Sequence, residues 1–463
     1  MLGQTQVQSI LERALRATTR VAPTQADQSV AVEAFLLAHD THLTRFANNI
    51  IHQNVSEHDT LLSLRAVLPS LRTGRRVGMS VTNDLSDAGL GRAAETALAL
   101  ARLQPENPEF PGLPQPEAIP HVAAFDEATA VFSPEARARA VQLICRRARE
   151  SGLIASGAFE TAVHEMGVAN SLGVSGYFPT THADLQTVVM SDDSSGWAQA
   201  SGWRVEDVDT AALGDEAIAK ALRARGPREL EPGEYPVVLD AYAVADLLAM
   251  LSGGMGAQAF QEGRSWMSGR LGQALMASSI SIWDDGLDPR GLPLPFDGEG
   301  TPRQRVDIVR AGVTVNPVYD TMTAAREAGR RTTGHALPPF NPMTLAIGPI
   351  PQHLFLAPGN ATLDDMIAAT ERGLYITRHH YTRMVHPREA IVTGMTRDGT
   401  FVIEKGEIAY PIKNLRFTQS YVQALAGVEM IGRETRLLAG WLGATCVPAL
   451  KLRAFTYTGA TEF

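Results

Sequence analysis

In "TLLSLRAVL" (60–68), Leu62, Leu64, Ala66 and Leu68 occupy every second position. Side chains of an extended chain point alternately to opposite faces, so this spacing describes a strand with one buried face. "VEAFLLAH" (32–39) and "LTRFANNIIHQNV" (43–55) have the same β character. "RTGRRVGMSVTN" (72–83) follows as a hairpin partner, with Gly74 supplying the turn. Ser86 can then cap a helix through "DAGLGRAAETALALARL", which stops before Pro105.

At 463 residues the chain exceeds what one compact core holds, so two or three domains are expected. "QPENPEFPGLPQPEAIP" (104–120) carries six prolines and reads as an extended linker. Ser133, Pro134 and Glu135 start a helix that stops at Gly152 and carries Cys145 on its core face. Glycine-broken strand segments fill 153–205, and a second boundary falls in "RARGPRELEPGEYPVVL" (223–239). Beyond it lie one helical stretch near 240–276 and then short strands and turns, with "TRDGT" and "EKGEI" as tight hairpin turns. No repeat of fixed period stands out. The expected class is α+β: an N-terminal α/β domain with a mixed sheet and helices (1–117), a middle α/β segment packed with it (118–228), and a C-terminal domain (229–463). This last domain should be mostly antiparallel β, its sheet barrel-like or strongly curved.

Bulk properties remove several functions. The net charge of −9 gives no footprint for a phosphate backbone, so direct nucleic-acid binding is not expected. The first residues read as an amphipathic helix interrupted by Glu12, not a targeting segment. The most apolar later run, "VVLDAYAVADLLAML" (237–251), is broken by Asp240 and Asp246 and is too short to span a bilayer. Cys145 and Cys446 lie far apart, which fits a reducing cytoplasm better than a disulfide framework.

"RHHYTRMVHP" (378–387) concentrates three of the twelve histidines. Strand composition puts His379 and His380 on opposite faces, and His380 and His386 would be roughly 20 Å apart at ~3.3 Å per residue. That geometry does not make a metal site, and leaves the cluster as polar residues lining a groove. "VHEMGVAN" (163–170) opens like a zinc-protease motif, but Val168 and Ala169 stand where the second histidine would be. His164 therefore reads as an ordinary loop or strand residue. "GGMGAQ" (253–258) lacks the lysine and serine of a phosphate loop, and the acidic turns "DDGLDP" and "FDGEG" lack calcium-loop spacing.

"EGRSWMSGRLGQAL", "SISIWDDG", "PFDGEGTPRQRVDIVRAG", "TTGHA", "TGMTRDGTFVIEKGEIAYPIKNLRFTQS" and "VEMIG", together with "GRRVGMSVTNDLSDAGLGRAAETALALA" and "ANSLG", resemble the TldD/PmbA family, also called modulators of DNA gyrase. The likeness spans nearly the whole chain in the family's order. It implies a heterodimeric metalloprotease in which the TldD branch carries H-E-x-x-x-H on a helix and a cysteine near the C-terminus. The PmbA (TldE) branch lacks those histidines. Here the corresponding window reads "AMLSGG", with Ala249, Met250 and Gly254 in place of ligand, base and ligand, and no histidine occurs between 183 and 334. Cys446 matches the terminal cysteine, and "TTGHA" matches the PmbA branch.

The resemblance therefore implies a subunit without its own catalytic or metal-ligating residues, zinc being held by a TldD-type partner. The substrate would be an unfolded or extended peptide. The isolated chain could also form a homodimer. His335, His379, Tyr381 and Arg383 are the expected peptide-cleft residues, the last three because equal strand parity would show them on one face. Two other readings stand beside it: a self-contained hydrolase using His335 and the 379–386 cluster, or a homodimeric peptide-binding or regulatory module.

Overall fold

The computed structural model describes residues 1–21, 30–69, 74–340, 346–440 and 443–461. Strands β1 (Ala31–Ala47), β2 (Ile50–Pro69) and β3 (Arg75–Thr82) lie in the chain between helices α1 (Gln4–Val21) and α2 (Asp87–Leu103). After a short helix α3 (Glu127–Ala130) the same order recurs as α4 (Pro134–Glu150), β4 (Ile154–Asn170), β5 (Ser175–Met190), β6 (Ser195–Gly202) and α5 (Thr210–Arg223). The two strand triplets join through β1 and β4 into one six-stranded antiparallel sheet, ordered β3-β2-β1-β4-β5-β6. A helix–three-strand–helix unit thus occurs twice, although no sequence period announces it.

Local signals explain many of these boundaries. Ser86 Oγ accepts the Gly89 amide at 3.1 Å and Ser133 Oγ the Ala136 amide at 3.2 Å, each satisfying a free N–H of its helix. "LTRFANNIIHQNV", expected to be one β segment, is two strands. Asn48 (φ 52°) and Asn49 (φ 60°) turn β1 into β2, because a short amide side chain tolerates the left-handed conformation of a two-residue hairpin loop. Gly74 has φ 113° before β3, while residues 70–73 lie outside the described residues.

The sheet's two faces have different covers. Ala34, Leu36 and Ala38 of β1 and Leu62, Leu64 and Ala66 of β2 pack under α1 and α2. Ala183, Leu185 and Val189 of β5 pack under α4 and α5. The opposite face looks toward the rest of the chain.

That second part begins with β7 (Glu234–Leu239) and α6 (Ala241–Ser252) and continues with β8 (Ile282–Asp284), β9 (Val306–Arg310), β10 (Val313–Thr314) and β11 (His353–Leu356). β12 (Arg372–His386), β13 (Ile391–Glu404), β14 (Glu407–Pro411), β15 (Leu415–Ser420), β16 (Val428–Gly440) and β17 (Gly443–Ala460) complete it. β7 pairs with β12 on one side and β17 on the other, so β7, β12, β13, β15 and β17 close into a ring. Leu247, Leu248 and Leu251 of α6 share a core with Leu374, Ile376, Phe417, Leu450 and Phe455. The class is α+β, as expected, but the parallel pairs (β7–β12 and β11–β17) occur in the second sheet, whereas the first is antiparallel throughout.

Two local expectations fail. "TRDGT" is not a hairpin: β13 runs through it, with Asp398 (φ 59°) and Gly399 (φ 127°) where the register with β12 shifts. The true hairpin turn is Lys405 (φ 52°) and Gly406 (φ 79°) in "EKGEI". The helical stretch near 240–276 stops at Ser252 and resumes only for Ala257–Gln261, since Gly253, Gly254 and Gly256 interrupt it.

α2 and α5 press onto glycines at equivalent places. A Cβ on Gly78 of β3 would lie 2.1 Å from the Ala97 carbonyl, and one on Gly196 of β6 would lie 2.1 Å from the Ala217 carbonyl. Gly78→Ala and Gly196→Ala should each destabilise the protein by about 1–3 kcal/mol in denaturant unfolding, because backbone must move. Gly91→Ala, with nothing within 4 Å, should instead stabilise α2 by roughly 0.5–1 kcal/mol. A neutral Gly78→Ala would show that α2 does not seat this closely.

Candidate functional site

An opening of about 840 Å³ lies between the exposed face of the first sheet and the strand ring. Its floor is a set of side chains from one face: Leu43 and Arg45 of β1, Glu160 of β4, His182 and Asp184 of β5, and Trp197 of β6. The opposite wall comprises Asp246, Ala249 and Met250 of α6 with Arg378–Tyr381 of β12. The "AMLSGG" window therefore borders the cavity.

Burial sets the electrostatics of these groups. It raises Asp184, against hydrogen bonds from Ser201 Oγ (2.5 Å) and Gln199 Nε2 (2.8 Å), and it raises Glu160, helped by the charge of Asp184. Asp246 is pushed up to about 6 by burial, although Thr382 Oγ1 at 2.7 Å and Tyr421 OH at 3.0 Å donate to its carboxylate. Asp240, one helical end away, caps α6 by accepting the Ala241 amide at 2.6 Å. Both residues had read only as interruptions of an apolar run. A carboxylate inside such a run was itself the available signal, because a buried charge persists only with partners.

The wall is tied to the floor. Arg378 Nη1 donates to Asp398 Oδ2 at 2.8 Å and its guanidinium lies 4.2 Å from the Trp197 ring centre. Ser195 Oγ donates to Asp398 Oδ1 at 2.8 Å. The irregularity of β13 at Asp398 is thus the point where the ring holds β6.

The four expected cleft residues separate. His379 adjoins the cavity, but its side chain has no exposure and its ring packs 4.6 Å from Phe417 and 5.5 Å from Phe455. Neither ring nitrogen is hydrogen-bonded, Nδ1 is 3.8 Å from Asp246, and burial pushes the imidazole down to about 3. Tyr381 is 64% exposed at the cavity, with φ 55°. The register shift between His380 and Arg383 breaks the parity assumed from the sequence, so His379 and Tyr381 do not share a face. Arg383 leaves the cavity wall and packs on Tyr381, its Nη2 donating to the phenol oxygen at 2.7 Å.

His335 is elsewhere. It is fully buried, with Nε2 2.8 Å from Asp284 Oδ1 and Nδ1 2.9 Å from the Thr333 carbonyl. The His353 amide donates to the same aspartate at 2.6 Å. Burial would raise Asp284, but these partners and Arg303 hold it below the usual carboxylate range. His335 lies in a loop fastened to Asp284 of β8 and is not among the residues lining this cavity.

The remaining motifs are accounted for by strand geometry. His164 and Glu165 are neighbours on β4 and face opposite ways. Glu165 accepts the Leu2 and Gly3 amides at 2.6 and 2.7 Å, holding the start of α1. His386 accepts the Glu389 amide in the turn after β12. Cys145 and Cys446 are both buried free thiols. Among the described residues, no three His, Cys, Asp or Glu side chains are grouped so as to hold a metal ion, and no helix is long and apolar enough to cross a membrane. At the window itself, Ala249, Met250 and Gly254 offer no imidazole or carboxylate, so this donor set does not fit zinc.

Asp246→Asn should alter the pH dependence of stability. The folded carboxyl titrates at about 6 against 3.8 for an ordinary aspartate. Its contribution is therefore present below about pH 4 and is lost as pH rises to about 6. The amide cannot ionise, but its oxygen can still accept from Thr382 while its Nδ2 donates to the Tyr421 oxygen. The variant should gain on wild type across that window by up to about 3 kcal/mol. Parallel curves of unfolding free energy against pH would refute the burial of this charge.

Comparison with known proteins follows the same outline. Residues 232–459 match the family model described as the PmbA/TldA metallopeptidase C-terminal domain, and residues 32–101 match PmbA/TldA metallopeptidase domain 1. Metalloprotease PmbA of Escherichia coli O157:H7 is 23% identical over 395 residues, covering 81% of this chain and 83% of the relative. The crystal structure of TldE from Thermococcus kodakarensis superposes with a TM-score of 0.85 at 17% identity, over 97% of this chain and 99% of that one. A Thermotoga maritima protein described as a candidate modulator of a DNA gyrase gives 0.85 at 19%, over 96% and 100%. The solved structures share the fold, and with the two family-model matches the conclusion is plain: this chain belongs to the PmbA/TldD family.

Proposed function

We propose that this chain is the PmbA (TldE)-type subunit of a heterodimeric metalloprotease, contributing a wall of the peptide cleft while a TldD-type chain supplies zinc. The observation that carries this is the position of "AMLSGG": it borders the cavity between the two sheets, yet its side chains offer nothing to a metal. Zinc with an activating glutamate is the chemistry that makes water attack a peptide bond, and such a site needs three protein ligands and an open position. Without them, this chain's groups can bind and orient but not activate water. Arg378 and Tyr381 offer donors and aromatic surface to an extended backbone, and Trp197 adds a ring on the floor. The names of relatives support the assignment: metalloprotease PmbA in one, metalloprotease TldD homolog in another, TldE in a solved structure. Two unpaired thiols favour a reducing cytoplasm.

The test uses this chain with and without a TldD-type chain and an unfolded peptide. Cleavage should appear only in the mixture and vanish with a chelator, and the purified chain should carry no stoichiometric zinc. Chelator-sensitive cleavage by this chain alone, at a rate comparable with the mixture, would overturn the assignment. In the mixture, Tyr381→Ala with Arg383→Ala should lower kcat/KM about tenfold, equivalent to ~1.4 kcal/mol, without loss of assembly. Normal cleavage by that double variant would remove Tyr381 from the cleft.

A further inference from the structure

A second groove of about 270 Å³ opens from the same face of the first sheet. Leu37, Met166 and Phe178 of β1, β4 and β5 line one side, and Trp203, Leu292 and Leu294 the other. His182 borders both this groove and the main cavity, so the two openings are neighbours along β5. We propose that this groove receives one bulky aromatic side chain of the extended peptide whose backbone occupies the main cavity. The inference rests on the cleft assignment above and specifies its substrate class.

Three observations select the occupant. Whole small-molecule sites enclose about 300–1,000 Å³, so a groove this size suits a single side chain. Its walls are mostly apolar, joined by the imidazoles of His164, His182 and His353 and the hydroxyls of Thr180 and Thr181. Burial drives His164 and His182 down to about 4, so both are uncharged at neutral pH and present flat neutral rings beside Trp203 and Phe178. Finally, Trp203 is pinned, its Nε1 donating to the Pro289 carbonyl at 3.2 Å and its ring packed against Arg204. It cannot swing in to fill the space. A charged side chain would find no counter-charge among these lining residues to replace its water, whereas an aromatic side chain would meet the rings of Trp203, Phe178 and the histidines.

The experiment measures binding of the full-length chain to short labelled peptides of alanine and serine that differ at one central residue: Phe, Leu or Ser. Fluorescence anisotropy should give about tenfold tighter binding for Phe than for Ser, with Leu between. Met166→Trp, which fills the groove, should bring Phe down to the Ser value and leave the Ser peptide unchanged. Leu292→Asp, at the groove's loop side, provides a second variant with the same expectation. Equal affinity for Phe and Ser overturns the groove while leaving the cleft assignment standing. Equal affinity for Leu and Phe overturns its aromatic preference. Failure of every peptide to bind, by the chain alone and with a TldD-type chain added, overturns both, and a Phe preference that survives both variants places the side chain elsewhere.

Discussion

An antiparallel sheet with helices on one face still has a second face to account for, and nearly everything functional in this protein follows from how that face is met. Alternation along β1 sends Phe35 and Leu37 away from the helices, toward the second part of the chain. Among the contacts with that part, two clusters stand out. Near the start of β1, Phe35 and Val168 pack with Phe296, and Arg65 binds Glu33 at 2.8 Å and Glu299 at 3.2 Å. At β6, Asp398 gathers Ser195 and Arg378. Between these anchors the face stays uncovered, and the two openings occupy that gap.

The anchors are electrostatically expensive. Glu33 and Arg65 are register partners on adjacent strands, and both are almost without exposure. Burial pushes the Glu33 carboxyl up to about 7 despite the adjacent guanidinium, so the pair balances desolvation against attraction. Such a pair adds little net stability, yet removing one member strands the other. Its value lies in specifying one register and one docking of the two sheets. The Asp284–His335 pair does the same within the second sheet. Asp284 and Glu299, from the two acidic turns, thus act as fastenings within the fold.

The cavity wall shows the same economy in reverse. Asp246 is the one carboxylate α6 offers to the opening, and its hydroxyl donors come from Thr382 on β12 and from Tyr421 at the end of β15. His379 lies beside it as a neutral ring in an aromatic cage. This end of the ring thus combines a buried carboxylate with aromatic packing at the edge of the opening.

Much of the architecture was legible in the sequence. Period-two runs, Ser86 and Ser133 as caps, the "EKGEI" turn, and the lack of ligands at Ala249, Met250 and Gly254 depend on residues close in sequence, where local geometry decides. Other features needed tertiary structure, because they depend on what lies opposite. Tyr381 at φ 55° takes its direction from a register shift against β13, so strand parity failed for His379 and Arg383. "TRDGT" has hairpin composition, yet Thr377 Oγ1 donating to the Asp398 and Gly399 carbonyls keeps it within a strand. The helix–three-strand–helix duplication and the ring closed by β7 are pairings between distant segments, which no window of sequence contains. Residue types determined which groups could bind or catalyse; only the meeting of two sheets decided which of them would face the opening.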